Sequence, residues 1–133
     1  MDKLKEFFSK NDLFARHNNI ELLEAGEGRA LASMKIEPYH FNGAGTVHGG
    51  AIFTLADFAF AVASNSHGKL AMGINTSVNF VKAAVGGTLY AEATEQSINP
   101  KLASYSVMVR DDLQETVAIF QGMVYRKNES ILK

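Results

Sequence analysis

The stretch His48-Gly49-Gly50-Ala51-Ile52-Phe53-Thr54-Leu55-Ala56-Asp57-Phe58-Ala59-Phe60-Ala61-Val62-Ala63 decides how this chain folds. From Ala51 to Ala63 it is rich in Ala, Leu and Phe, free of Gly and Pro, and closed by Ser64-Asn65-Ser66-His67-Gly68 as a C-terminal stop. The composition predicts a helix over 51–63 that is apolar nearly all round. A helix without a wide polar face is normally enclosed, so the rest of the chain is expected to wrap it.

Asp57 is the one ionisable residue in that helix, and Phe53, Thr54, Phe60 and Ala61, one turn away, offer no positive charge. A carboxylate taken out of water without compensation costs several kcal/mol. Two readings are open. Asp57 is a structural group held by backbone donors or a distant cation, or it faces a cleft, where a group of ordinary pKa about 3.9 serves as general base or nucleophile at neutral pH.

Immediately before the helix stands Gly45-Thr46-Val47-His48-Gly49-Gly50. Glycines there leave first-turn N–H groups sterically open at the positive end of the helix dipole, a ready oxyanion site. They also simply permit a sharp loop-to-helix turn, and a lone His48 beside a helix start orients such a loop as readily as it catalyses. Gly49 and Asp57 lie eight residues apart, about 12 Å along one helix. Groups attending one reacting atom sit within about 3.5 Å of it. If both act, two antiparallel copies related by a twofold axis must share each site.

Working outward, Leu4, Phe7, Phe8 and Leu13 recur at helical spacing and predict a helix over about 2–15. Stretches 19–25 and 29–37 flank Gly26-Glu27-Gly28 and predict a hairpin. Segment 38–50 reads as a loop, holding four of the eleven glycines. Four further strands are expected at 71–82, 88–98, 103–110 and 116–126, joined by short turn-forming connections, so that successive strands run antiparallel. The order α-β-β-α-β-β-β-β implies an α+β domain, an antiparallel sheet around a long central helix.

The 133 residues, 47% apolar with two prolines and no linker-like tract, are expected to form a single domain over 1–133. Net charge is −1, which gives no footprint for nucleic acid. The absence of cysteine excludes disulfides, a thiolate nucleophile and a Cys-ligated zinc site. No His-x-x-His or His-x-x-x-His spacing joins His17, His40, His48 and His67, and no Gly-x-Ser-x-Gly elbow occurs, so neither metal nor serine-hydrolase chemistry is expected. A charged start and the lack of a bilayer-length apolar run predict a cytoplasmic protein without membrane contact.

The run from His48 to Ala61 followed by Ser64-Asn65-Ser66, with Asn42-x-x-Gly45-x-x-His48-Gly49-Gly50 upstream, resembles the signature of hotdog-fold acyl-CoA thioesterases, in particular the phenylacetic-acid-degradation (PaaI-like) branch. Ser77-Val78-Asn79-Phe80 and Gly122-Met123-Val124-Tyr125-Arg126 extend the likeness over about 38–127. The resemblance implies a hotdog fold and hydrolysis of an acyl-CoA thioester. It implies Asp57 as base or nucleophile, the Gly49 amide on the thioester carbonyl, and Asn42 and His48 placing substrate or water. Gly50, Phe53 and Ala61 are expected along the acyl group, with Phe58 and Phe60 either beside them or in the core. Lys82, Lys101 and Arg126 are nominated for the coenzyme A phosphates, because a nearly neutral chain needs local basic residues for an anionic ligand. No cofactor is expected beyond the coenzyme A of the substrate itself. A homodimer at minimum, and a dimer of dimers by family habit, is expected. The rival readings are an acyl-thioester hydratase or dehydratase pairing His48 with Asp57, and a non-catalytic acyl-CoA-binding module.

Overall fold

The computed structural model describes residues 1–132; Lys133, the last residue of the expected domain, lies outside them. The elements in chain order are α1 (Asp2–Asn11), α2 (Leu13–His17), β1 (Ile20–Gly26), β2 (Arg29–Lys35), a 3-10 turn (Pro38–His40), α3 (Gly49–Ser64), β3 (Lys69–Phe80), β4 (Thr88–Ile98), β5 (Leu102–Arg110) and β6 (Thr116–Ser130).

The single N-terminal helix expected over 2–15 is two helices. Asp12 leaves the helical conformation at φ −85°, ψ 84°, and its side chain accepts a hydrogen bond from the Ala15 N–H at 3.1 Å, capping α2. Leu4 and Phe8 are buried as their spacing predicts, whereas Leu13, beyond the break, is 67% exposed. The central helix begins two residues earlier than composition alone predicts, with His48 as its N-cap, and so takes in both glycines.

All six strands form one antiparallel sheet in the order β1-β2-β4-β5-β6-β3. β4, β5 and β6 are the expected meander, with Tyr90 to Ile98 pairing Ala103 to Arg110 and Leu102 to Arg110 pairing Thr116 to Tyr125. β3 departs from it. It runs opposite to β4 in direction but pairs with β6 at the far edge, from Lys69↔Ser130 to Phe80↔Ala118. Segment 81–87 is therefore a crossover, not a hairpin turn. It is tied down in passing, Val81 and Lys82 N–H to the Val117 carbonyl, Val47 N–H to that of Ala84, and Ile36 N–H to that of Gly87.

The sheet curls around α3, whose Ile52, Leu55, Ala56, Phe58, Ala59, Phe60, Val62 and Ala63 are buried. They meet alternate residues of the strands, among them Met34, Leu89, Ala91, Val107 and Phe120, all inaccessible. Phe60 is the wedge. Its ring lies 5.4 Å from Phe120 and 5.9 Å from Tyr105, against the bare backbone of Gly73 and Gly122, where a Cβ would come within 3.1 and 2.6 Å of it. The enclosed Tyr105 hydroxyl donates to Glu95 Oε1 at 2.7 Å. This is the expected helix wrapped by an antiparallel sheet.

Candidate active site

Enclosure of α3 is incomplete. Gly50, Phe53, Thr54, Asp57 and Ala61, at steps of three and four residues, form a stripe that the sheet leaves exposed or half-buried. Three of the expected substrate-lining residues, Gly50, Phe53 and Ala61, thus share a face with Asp57. Phe53 belongs partly to the core, its ring 5.5 Å from Phe120, while Phe58 and Phe60 are fully buried core residues.

Asp57 has no hydrogen-bond or ion-pair partner among the described residues. Burial, and secondarily the negative charge of Asp12, push its carboxyl above the usual carboxylate range. The α1–α2 break thus brings Asp12 into the electrostatic surroundings of Asp57. Phe8 packs edge-on against Phe58, ring centroids 6.0 Å apart, and seats the N-terminal helices on α3. Sequence reading missed Asp12, because nothing local links residues 45 positions apart.

At the start of α3 the N–H groups of Gly49 to Ile52 have unequal fates. Gly50 N–H donates to His48 Nδ1 at 2.8 Å, and Ala51 and Ile52 N–H donate to the His48 carbonyl at 2.9 and 3.2 Å. Gly49 N–H alone has no acceptor among the described residues. His48 therefore orients the loop, and of the two glycine amides only that of Gly49 is available to a ligand. Phe80 stands over Gly49, with its Cζ 3.1 Å from where a Cβ would project.

A cleft of about 400 Å³ opens there, lined by Asn42, Thr46, Gly49, Ile52, Phe80 and Lys82, among others. Asn42 lines it but spends its side chain on its own loop. Its Oδ1 accepts from Ala44 and Thr46 N–H at 2.9 and 3.1 Å, and its Nδ2 donates to Thr46 Oγ1 at 2.9 Å. Asp57, two turns further along the helix, does not line this cleft, in keeping with the separation computed from helical rise.

The three nominated basic residues do not converge within one chain. Lys82 pairs with Asp111 at 2.7 Å and with Glu115, so its charge is already met in the free protein. Those hydrogen bonds, to Asp111 first, hold its ammonium above the ordinary lysine value. Lys101 and Arg126 adjoin at the other end of the sheet. The Arg126 N–H donates to the Lys101 carbonyl at 2.7 Å and its guanidinium to the Asn99 carbonyl at 2.8 Å. Val117, which holds Lys82, and Arg126 are nine residues apart on β6, roughly 30 Å.

Three comparisons place these features among known proteins. The family model described as thioesterase superfamily matches residues 44–118. A protein of Archaeoglobus fulgidus, carrying only a provisional esterase name, is 42% identical over 130 residues, covering 97% of this chain and 84% of that one. The acyl-coenzyme A thioesterase PaaI of Escherichia coli is 33% identical over 118 residues, 88% of this chain and 84% of its own. The solved structure of the E. coli PaaI protein superposes with a TM-score of 0.92 at 30% identity, over 97% of this chain and 96% of that one.

Proposed function

The chain belongs to the thioesterase superfamily, and we propose that it hydrolyses acyl-coenzyme A thioesters, with an aryl-acetyl group such as phenylacetyl or another short to medium acyl group, to the free acid and coenzyme A. The relatives support the reaction class. One observation carries the assignment to residues: among the described residues α3 has one unclaimed first-turn N–H, at Gly49 beside the cleft, and one partnerless carboxyl, at Asp57 on the stripe the sheet leaves half-buried.

In this mechanism the thioester carbonyl oxygen accepts from Gly49 N–H of one subunit, and Asp57 of a second copy acts on the carbonyl carbon. As general base, Asp57 takes a proton from water as the water oxygen attacks. The tetrahedral oxyanion is held by Gly49 N–H, the C–S bond breaks, and the departing coenzyme A thiolate receives the proton. As nucleophile, the Asp57 carboxylate attacks the carbonyl carbon, the C–S bond breaks to release coenzyme A thiolate, which takes up a proton, and water then opens the mixed anhydride to the free acid and the Asp57 carboxylate. Burial that raises the carboxyl's pKa makes it a stronger base than an exposed aspartate. His48 holds the loop in register, Asn42 shapes it, and Gly50, Phe53 and Ala61 border the acyl group. Lys101 and Arg126 are better placed than the neutralised Lys82 to meet phosphates. No cofactor is involved beyond the coenzyme A of the substrate.

A second copy is required by the 12 Å separation expected from about 1.5 Å of rise per residue. The uncovered stripe of α3 and the edge strand β3, with Met72, Ile74 and Phe80 at least half exposed, offer it a surface. A homodimer, and by family habit a dimer of dimers, follows.

Two substitutions test the roles separately. Asp57→Asn keeps the shape and removes the base. Gly49→Pro deletes the N–H at a first helical position that accepts proline after the extended His48 (φ −60°, ψ 135°), and its added ring carbons require the Phe80 ring, 3.1 Å from the Cβ position, to shift by a few tenths of an ångström. With phenylacetyl-CoA, Gly49→Pro is expected to lower kcat by about 10²- to 10³-fold, and Asp57→Asn to abolish turnover. Near wild-type hydrolysis by either folded variant overturns its assignment.

A further inference from the structure

Among the histidines of this chain His40 is the one sealed from solvent, at 2% exposure. We propose that His40 is a positioning residue for thioester hydrolysis, tying α2 and the end of β2 to the loop whose His48–Gly49 peptide presents the oxyanion donor. The proposal rests on the reading of Gly49 given above.

All three hydrogen-bonding groups of His40 that could leave a segment loose are used. Nδ1 accepts from Glu37 N–H at 3.0 Å, which puts the ring proton on Nε2, and Nε2 donates to the Asn18 carbonyl at 3.1 Å. Asn18 is the C-cap of α2. The His40 carbonyl accepts from His48 N–H at 2.7 Å. The ring thus needs to stay neutral to keep both bonds. Burial, the largest influence, lowers its pKa, against the opposing pull of the Asn18 bond and the Glu37 charge.

The consequence lies at Gly49. His48 N–H is pinned to His40 on one side, and His48 Nδ1 is pinned to Gly50 N–H on the other. These two bonds bracket the Gly49 N–H and fix the peptide plane that carries it. The anchor on Asn18 joins this arrangement to α2, the element that Asp12 caps and whose charge Asp57 feels. A displacement of about 1 Å in such a donor costs up to 10²-fold in rate.

Two variants test it. His40→Leu removes both ring bonds; His40→Asn retains an acceptor near the Nδ1 position and loses the reach to Asn18. Steady-state kinetics with phenylacetyl-CoA, circular dichroism and amide hydrogen exchange over 46–52 are measured on each. His40→Leu is expected to lose about 10- to 100-fold in kcat with KM nearly unchanged, with faster exchange over 46–52, and His40→Asn to recover part of both. If the Leu variant does not fold, the Asn variant alone decides, by lower kcat and faster exchange. A folded variant with wild-type kcat, a loss confined to KM, or unchanged exchange overturns the proposal. If Gly49→Pro is inactive while the His40 variants are fully active, only this proposal falls; if Gly49→Pro is fully active, the oxyanion reading falls and takes the proposal with it.

Discussion

Asp57 gains nothing from folding in a single chain. Its carboxyl is partly removed from water, feels Asp12, and meets no donor among the described residues, so ionisation is harder in the folded chain than in the unfolded one. The sign follows from linkage. A folded pKa raised above the unfolded 3.8 means that the native state binds more protons, so stability is fullest below that value and falls as pH rises through the folded pKa. Asp57→Asn, uncharged throughout, is expected to melt a few degrees above wild type at pH 7, with the gain shrinking as pH is lowered toward 4. Calorimetry over that range checks it. An equal melting temperature at pH 7 would show that the ionised carboxyl is compensated in the assembled protein. A variant that is more stable and inactive is the signature of a residue kept for chemistry.

The elements show which parts of the architecture were legible in the sequence. α3 was, because thirteen residues of helix-forming, apolar composition leave few alternatives. β4 was too, because its residues alternate between faces from Thr88 to Glu95 and Asn99-Pro100 ends it. The break at Asp12 was not, since an Asp inside a helical pattern becomes a cap only if its side chain turns to the Ala15 N–H. Nor was the crossover of β3, whose pairing with β6 joins residues about 40 to 60 apart in sequence. The site divides in the same way. Gly49 and Asp57 stand out locally, whereas the neutralisation of Lys82 depends on Asp111 and Glu115, 29 and 33 residues away. The contact of α3 with β6 also explains a glycine that reads as an ordinary strand residue. At Gly122 a Cβ would lie 2.6 Å from the Phe60 ring, which Tyr105 and Phe120 hold in place. Gly122→Ala is expected to destabilise the chain by about 1–3 kcal/mol through overpacking, seen as a lower urea midpoint at constant m-value.

At the scale of the whole molecule, the mechanism proposed above makes the cleft at Gly49 and the carboxyl at Asp57 halves of two different sites. A twofold axis that sets two α3 helices antiparallel brings the start of one toward the middle of the other, so each dimer would hold two sites, each built from one Gly49 and one Asp57. Mixing tests this directly. Let Asp57→Asn protein, inactive, and Gly49→Pro protein, slowed by about 10²-fold or more, be unfolded together in equal amounts and refolded. In a mixed dimer, one site receives Gly49 from the first chain and Asp57 from the second and is intact; the other receives both lesions. Half the dimers are mixed and half of their sites are intact, so about a quarter of wild-type activity is expected to return. If each site were confined to one chain, every site would carry a lesion and the mixture would stay as inactive as its components.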